Sequence, residues 1–167
     1  PLIEQHDTAY RDTLLQYAIR ECEDCRSQFA DPMSPAPPTW YADQGEYYGW
    51  RWEFSLFQQN LAERQSHEPG CRILEIGCGE GILLDRVQSN GVEITGLEMN
   101  ESAAYLARKK GLPVYGVSLD QFCTEYPHSR YDAIAFFQVL EHQSDPLSFL
   151  QTVSQVLRPH GAIYLSV

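Results

Sequence analysis

The segment Glu75-Ile-Gly-Cys-Gly-Glu-Gly81 sets three glycines at alternate positions directly after an apolar run, with a carboxylate two residues ahead of the first. Glycines there let the backbone adopt conformations that a Cβ forbids and let a ligand approach the main chain closely. A helix starting behind the turn adds unpaired N–H groups. Such turns hold anionic ligands in many folds, but a tight strand-to-helix turn also needs glycine for its own sake. Glu98 strengthens the signal. It lies roughly 20 residues further on, after the next apolar run, where an acidic side chain can bind ribose hydroxyls. The bland alternative is a solvated carboxylate at a free strand end, which alanine would replace without loss of stability. Together the two features point to a nucleoside ligand.

The elements needed to position these residues are legible. Strands are predicted at 72–76, 92–97, 113–117, 131–137 and 162–167. The 131–137 run is almost wholly apolar, as a strand buried on both faces should be. Helices are predicted at 82–89, ending at Asn90-Gly91, at 101–110 between an Asn100 N-cap and Gly111, and from Pro146 to Leu157 behind an Asp145 N-cap. Arg158-Pro-His-Gly161 turns into the last strand. This alternation predicts an α/β fold, a parallel sheet with right-handed crossovers and helices on both faces. Upstream, Trp50, Phe54, Phe57 and Leu61 recur at helical spacing, which predicts an amphipathic helix from Gly45 to about Ser66. Pro32, Pro35, Pro37 and Pro38 make 31–39 a loop. Residues 1–30 admit two readings, a helical face of Leu14, Leu15, Ala18 and Ile19 or a strand over 15–20 leading into Cys22. The chain divides into an N-terminal helical or loop extension, 1–44, and a ligand-binding domain, 45–167.

Composition narrows the ligand and the partners. The formal net charge is −11, and Arg108, Lys109 and Lys110 are best read as complementing a helix C-terminus, so no nucleic-acid partner is expected. No apolar run approaches the ~20 residues that span a bilayer. Five cysteines and no secretory signal read as reduced thiols in a cytoplasmic protein. The turn is Gly77-x-Gly79-x-Gly81 rather than the dinucleotide Gly-x-Gly-x-x-Gly, and Glu75 would repel a pyrophosphate but suit a cationic amine. S-adenosylmethionine carries an α-amine and a sulfonium and no phosphate. The chemistry leans to it and away from a nicotinamide oxidoreductase.

These residues resemble the class I, Rossmann-like methyltransferases. Ile73-Leu-Glu-Ile-Gly-Cys-Gly-Glu-Gly-Ile-Leu-Leu84 is similar to their first motif and Gly96-Leu-Glu-Met-Asn100 to their acidic ribose motif. Tyr131-Asp-Ala-Ile-Ala-Phe-Phe-Gln-Val-Leu-Glu-His142 resembles the fourth-strand motif of the ubiquinone-biosynthesis subgroup, and Leu157-Arg-Pro-His-Gly-Ala-Ile-Tyr-Leu-Ser166 the fifth strand. The resemblance implies S-adenosylmethionine as cofactor, S-adenosylhomocysteine as product, a small-molecule acceptor and strand order 3-2-1-4-5. It places Glu75 near the methionine amine, Gly77, Cys78 and Gly79 along the methionine moiety, and Glu98 on the ribose. Met99 would pack on adenine, Ser118 and Leu119 would meet the adenine edge, and Gln138 would line the methionine end. Many relatives have Asp at the position of Ser118. Two roles are open to His142: a general base or acceptor contact, and a helix-start histidine bonded to backbone.

Cys22-Glu-Asp-Cys25 resembles the second knuckle of methyltransferases that begin with a zinc ribbon. A structural zinc wants four ligands; no earlier cysteine is present and Arg26 stands where that motif has glycine, so no zinc is expected here. The competing functional reading is a protein that binds the cofactor without transferring methyl. The chain starts at Pro1 and stops at Val167 inside or just after the fifth strand, which reads as a fragment whose exposed edge would self-associate.

Overall fold

The computed structural model describes residues 3–4, 18–32, 49–67, 70–88 and 92–167. Two sheets are present. The first is antiparallel, with order β1 (Ile3–Glu4), β2 (Ala18–Glu21), β3 (Gln28–Asp31). It corrects the expectation of a helical or loop extension. The strand reading of Ala18 and Ile19 holds, while Leu14, Leu15 and the prolines at 35, 37 and 38 lie outside the described residues. Main-chain bonds from Cys22 N–H to Ser27 O (2.9 Å) and Arg26 N–H to Cys22 O (3.0 Å) close the hairpin around the two cysteines. β1 and β3, of two and four residues, carry too little alternation to be read from sequence.

The second sheet is parallel throughout, with order β6 (Val114–Tyr115), β5 (Glu93–Leu97), β4 (Arg72–Ile76), β7 (Tyr131–Phe137), β8 (Leu157–Ser166). In sequence order within the domain this is the expected 3-2-1-4-5. Period-two alternation sorts its side chains to two faces. Ile73, Ile94, Ala133 and Ala135 pack with Phe57 and Leu61 of α1 (Trp52–His67), Leu83 and Leu84 of α2 (Ile82–Gln88), and Ala104 and Ala107 of α3 (Glu101–Lys109). Leu74, Ile76, Ile134 and Phe136 pack with Phe122 of α4 (Leu119–Glu125) and with Val153 and Val156 of α5 (Pro146–Val156). The alanines of β7 leave room for the large Phe57 ring, which is almost fully buried.

The helix caps fall where expected: Asn100 accepts from Ser102 and Ala103 N–H, and Asp145 from Ser148 N–H. Three boundaries differ. The leading helix begins at Trp52 in the described residues, the third strand is only two residues long, and α4 has no counterpart in the sequence reading. A signal for α4 exists: Ser118 accepts from Gln121 N–H, the Ser-x-x-Gln half of a capping box. β8 also starts earlier than expected, at Leu157. Its register jumps from Tyr131↔Leu157 to Ala133↔Ala162, so residues 158–161 form an excursion within the strand.

At the N-terminal ends of the strands, Asp132 ties three of them together. It accepts from the Arg72 backbone N–H of β4 (2.8 Å) and from the Arg158 guanidinium of β8 with both oxygens (2.8 Å each). Partial burial pushes the Asp132 carboxyl up, but these donors outweigh it and hold it below the ordinary value.

Candidate cofactor site

The opposite, C-terminal ends of the parallel strands carry the glycine turn. Gly77 and Cys78 N–H both donate to Leu97 O (2.8 and 3.1 Å), clipping the turn to the end of β5. Gly77 has φ +73°, and a Cβ there would lie 2.5 Å from Val139 Cγ2, so the backbone runs against the loop after β7 with no space for a side chain. Gly96 on β5 serves the same end from below: a Cβ on it would meet Cys78 Sγ at 2.7 Å and Leu84 Cδ2 at 2.8 Å.

Glu75 is the only buried charged residue among those described, 3% exposed. Its strand neighbours across the ladder are Gly96 and Ala135, both too small to crowd the carboxylate. Its Oε2 has no hydrogen-bond partner. Burial, and then repulsion from Glu98, push its carboxyl well above the usual carboxylate range. A buried acceptor left unsatisfied is costly, and a cationic partner would relieve that cost. Cys78 beside it is packed in, and burial followed by the charges of Glu75 and Glu98 pushes its thiol up as well. That suits a packing residue rather than a nucleophile.

Glu98 differs from the free strand-end carboxylate. Its Oε2 accepts from Gly79 N–H (2.8 Å) and its Oε1 from Asn100 N–H (2.7 Å), so it bridges the glycine turn to the start of α3. Alanine at this position would leave both N–H groups unpaired, and the expectation of an unchanged stability does not hold. A carboxylate offers about four lone-pair sites, so each oxygen keeps one for a ligand hydroxyl.

A cavity of about 420 Å³ opens above these groups. Of the residues read from sequence, Glu75, Gly77, Cys78, Gly79, Glu98, Met99, Gln138 and His142 all line it. Ser118 and Leu119 do not; the Ser118 hydroxyl caps α4 and Leu119 is buried beneath it. Among the lining residues that the sequence reading missed are Arg51, Phe54 and Asn100. Asn100 was legible only as a cap. Phe54 stood out as part of an aromatic face, and the structure sets it edge-on to Phe137 with ring centroids 5.4 Å apart, at the cavity wall. Trp50 stacks edge-on behind Phe54 (5.5 Å). His142 ends a short 3₁₀ turn, Leu140–His142, with its backbone N–H on Val139 O (3.1 Å).

No group of three or more metal-ligating side chains occurs among the described residues, and no described helix is long and apolar enough to cross a membrane.

Sheet order, glycine turn and paired carboxylates define a Rossmann-like domain for a nucleoside-bearing cofactor. Comparison with known proteins agrees. The family described as methyltransferase domain matches residues 49–167, and the chain belongs to that family. It is similar to the ubiquinone biosynthesis O-methyltransferase of Proteus mirabilis (strain HI4320), 29% identical over 142 residues that cover 81% of this chain and 58% of that protein. The chain thus spans little more than half the length of that relative. Among solved structures it resembles the plantazolicin methyltransferase BpumL in complex with SAH, with TM-score 0.58, 21% identity and coverage of 68% of this chain and 47% of that one. It also resembles the [4+2]-cyclase SpnF, with TM-score 0.52, 30% identity and coverage of 65% and 42%.

Proposed function

We propose that this chain is the cofactor-binding part of an S-adenosylmethionine-dependent methyltransferase acting on a small molecule. The observation that carries the reading is Glu75, a buried carboxylate with an unpartnered oxygen in the wall of a glycine-lined cavity. Such a group fits an ammonium and repels a phosphate, and the nearby backbone has no room for side chains where a ligand chain would pass. The residues fit the cofactor in sequence: Glu75 for the amine, Gly77, Cys78 and Gly79 for the methionine chain, Glu98 for the ribose hydroxyls, and the exposed face of Met99 for adenine. Gln138 would line the methionine end. Ser118 and Leu119 would reach the adenine edge through backbone, since the hydroxyl of one is a helix cap and the side chain of the other is buried.

Bound S-adenosylmethionine supplies an electrophilic methyl group on a sulfonium. The chain's own contribution is orientation and exclusion of water. Phe54, Phe137, Ile82 and Leu83 give the cavity an apolar wall, which does not oppose a reaction that removes positive charge. His142 lines the cavity, which supports a role in holding or accepting an acceptor proton, a service that an oxygen acceptor would need. His142→Gln should then lower the rate far more than cofactor affinity; normal turnover returns His142 to a backbone-bonded role. Ile163 and Leu165 of β8 are exposed, which supports self-association through this strand, and sedimentation of the chain checks it.

The likeness to a [4+2]-cyclase favours a second reading, cofactor binding without methyl transfer, since one fold serves several chemistries. Calorimetry with S-adenosylhomocysteine and NADH tests the first step, and tighter binding of NADH would overturn it. Conversion of S-adenosylmethionine to S-adenosylhomocysteine with candidate acceptors separates the two readings.

A further inference from the structure

Gln138 follows β7 with φ +55°, a left-handed conformation that a non-glycine residue keeps only where its surroundings over-determine it. Three hydrogen bonds do so. Gln138 N–H donates to Ser166 O (2.9 Å), and its Nε2 donates to Ser166 Oγ (3.3 Å). The Ser166 hydroxyl in turn donates to Glu53 Oε1 (3.3 Å), in the first turn of α1. The direction of this relay is forced. An ionised carboxylate can only accept, so the hydroxyl proton points at Glu53 and the Ser166 oxygen must accept from Gln138. The Gln138 amide is thereby set with its NH₂ toward β8, and Oε1 becomes its accepting end on a residue that lines the cavity beside Glu75.

We propose that Glu53 and Ser166 are positioning residues that hold the Gln138 carbonyl toward the cavity as a second acceptor for the cofactor's ammonium. The inference rests on the cofactor reading above. One acceptor oxygen on Glu75 cannot satisfy an ammonium with three N–H donors. Removing Glu53 frees the Ser166 proton to turn toward Gln138, and the amide then loses its fixed sense. The same relay joins the start of α1, which carries Arg51 and Phe54 to the cavity wall, to the ends of β7 and β8.

The test is titration calorimetry of the protein with two ligands, S-adenosylhomocysteine and 5′-methylthioadenosine, which keeps the adenosine and thioether but lacks the ammonium. Ser166→Ala and Glu53→Ala should each weaken S-adenosylhomocysteine by about fivefold to tenfold, the scale of one charge-assisted bond lost in part. Neither should change 5′-methylthioadenosine. Glu53→Gln, which keeps an acceptor but can also donate, should fall between the parent and Glu53→Ala, and Ser166→Ala should add nothing in a Gln138→Ala background. Equal losses for both ligands, or no loss for S-adenosylhomocysteine, overturn the proposal while the cofactor reading stands. A parent protein that binds neither ligand overturns both. Glu53→Ala alters only the half-exposed start of a helix, so it decides the matter if Ser166→Ala fails to fold.

Discussion

Replacing Glu75 by Gln is the most informative single change. The side chain keeps its shape, so packing between Gly96 and Ala135 is preserved. What is lost is the capacity to become an anion. In the empty protein, burial and then Glu98 hold the carboxyl protonated to a higher pH than an ordinary glutamate. A cationic amine favours the ionised form, so cofactor binding must expel that proton whenever the empty site holds it. Affinity of the parent should therefore fall as pH drops below the raised value, and rise as pH climbs through it. A bond to a charged partner is worth about 1.5–3 kcal/mol, so Glu75→Gln should cost about ten- to a hundredfold in affinity for S-adenosylhomocysteine at high pH. The variant should show a flatter pH profile. Stability moves the other way. An acid whose folded value is raised binds more protons folded than unfolded, so it destabilises the fold as pH rises from about 4 through the raised value. Glu75→Gln should melt at the same or a higher temperature than the parent at neutral pH. Calorimetry across pH and thermal melts of the empty protein give both readouts. Unchanged affinity with the parent's pH slope retained would refute the assignment of Glu75 to the amine.

Glu98→Ala should weaken S-adenosylhomocysteine at least about tenfold and also destabilise the empty protein by about 1–3 kcal/mol, because two backbone N–H groups lose their acceptor; a melt that matches the parent would deny the bridge. Gly96→Ala should destabilise by about 1–3 kcal/mol through overpacking against Cys78 and Leu84, measured by denaturant unfolding. Asp132 has a lowered carboxyl in the fold, so its contribution is present above about pH 4 and is lost as pH falls through the folded value. Asp132→Asn should thus lower stability at neutral pH and flatten the acid limb of the unfolding curve, while S-adenosylhomocysteine affinity stays at the parent's value.

The parallel sheet was readable because β4 and β7 are apolar runs bounded by turn residues, and the caps at Asn100 and Asp145 are local chemistry. The carboxylates and glycines of the cavity wall were readable for the same reason: they lie at the ends of those strands. Three features were not. β2 and β3 are four residues each, and their pairing is decided across a turn rather than within either strand. β6 was read as a strand over 113–117, but its two-residue extent was not legible. The bond from Glu98 back to Gly79 spans a strand and a helix, so nothing in the spacing separates a solvated carboxylate from a bridging one. Ser118 carried a signal that went unread: besides a position that resembles an adenine contact, its local Ser-x-x-Gln pattern spells a helix cap.

The tie at Asp132 and the glycine turn occupy opposite poles of one set of parallel strands, about 15 Å apart along a five-residue strand. One pole fastens β4, β7 and β8 to each other; the other carries the cavity-facing loops, themselves clipped to β5 and to the start of α3. A lineage carrying this arrangement can change side chains that only face the cavity without renegotiating how the N-terminal ends of the strands are held. Drift at those cavity-facing positions, away from the Glu98 bridge and Gly96, then alters chemistry with little risk to heritable foldability, and loss of Asp132 is felt regardless of what the molecule binds.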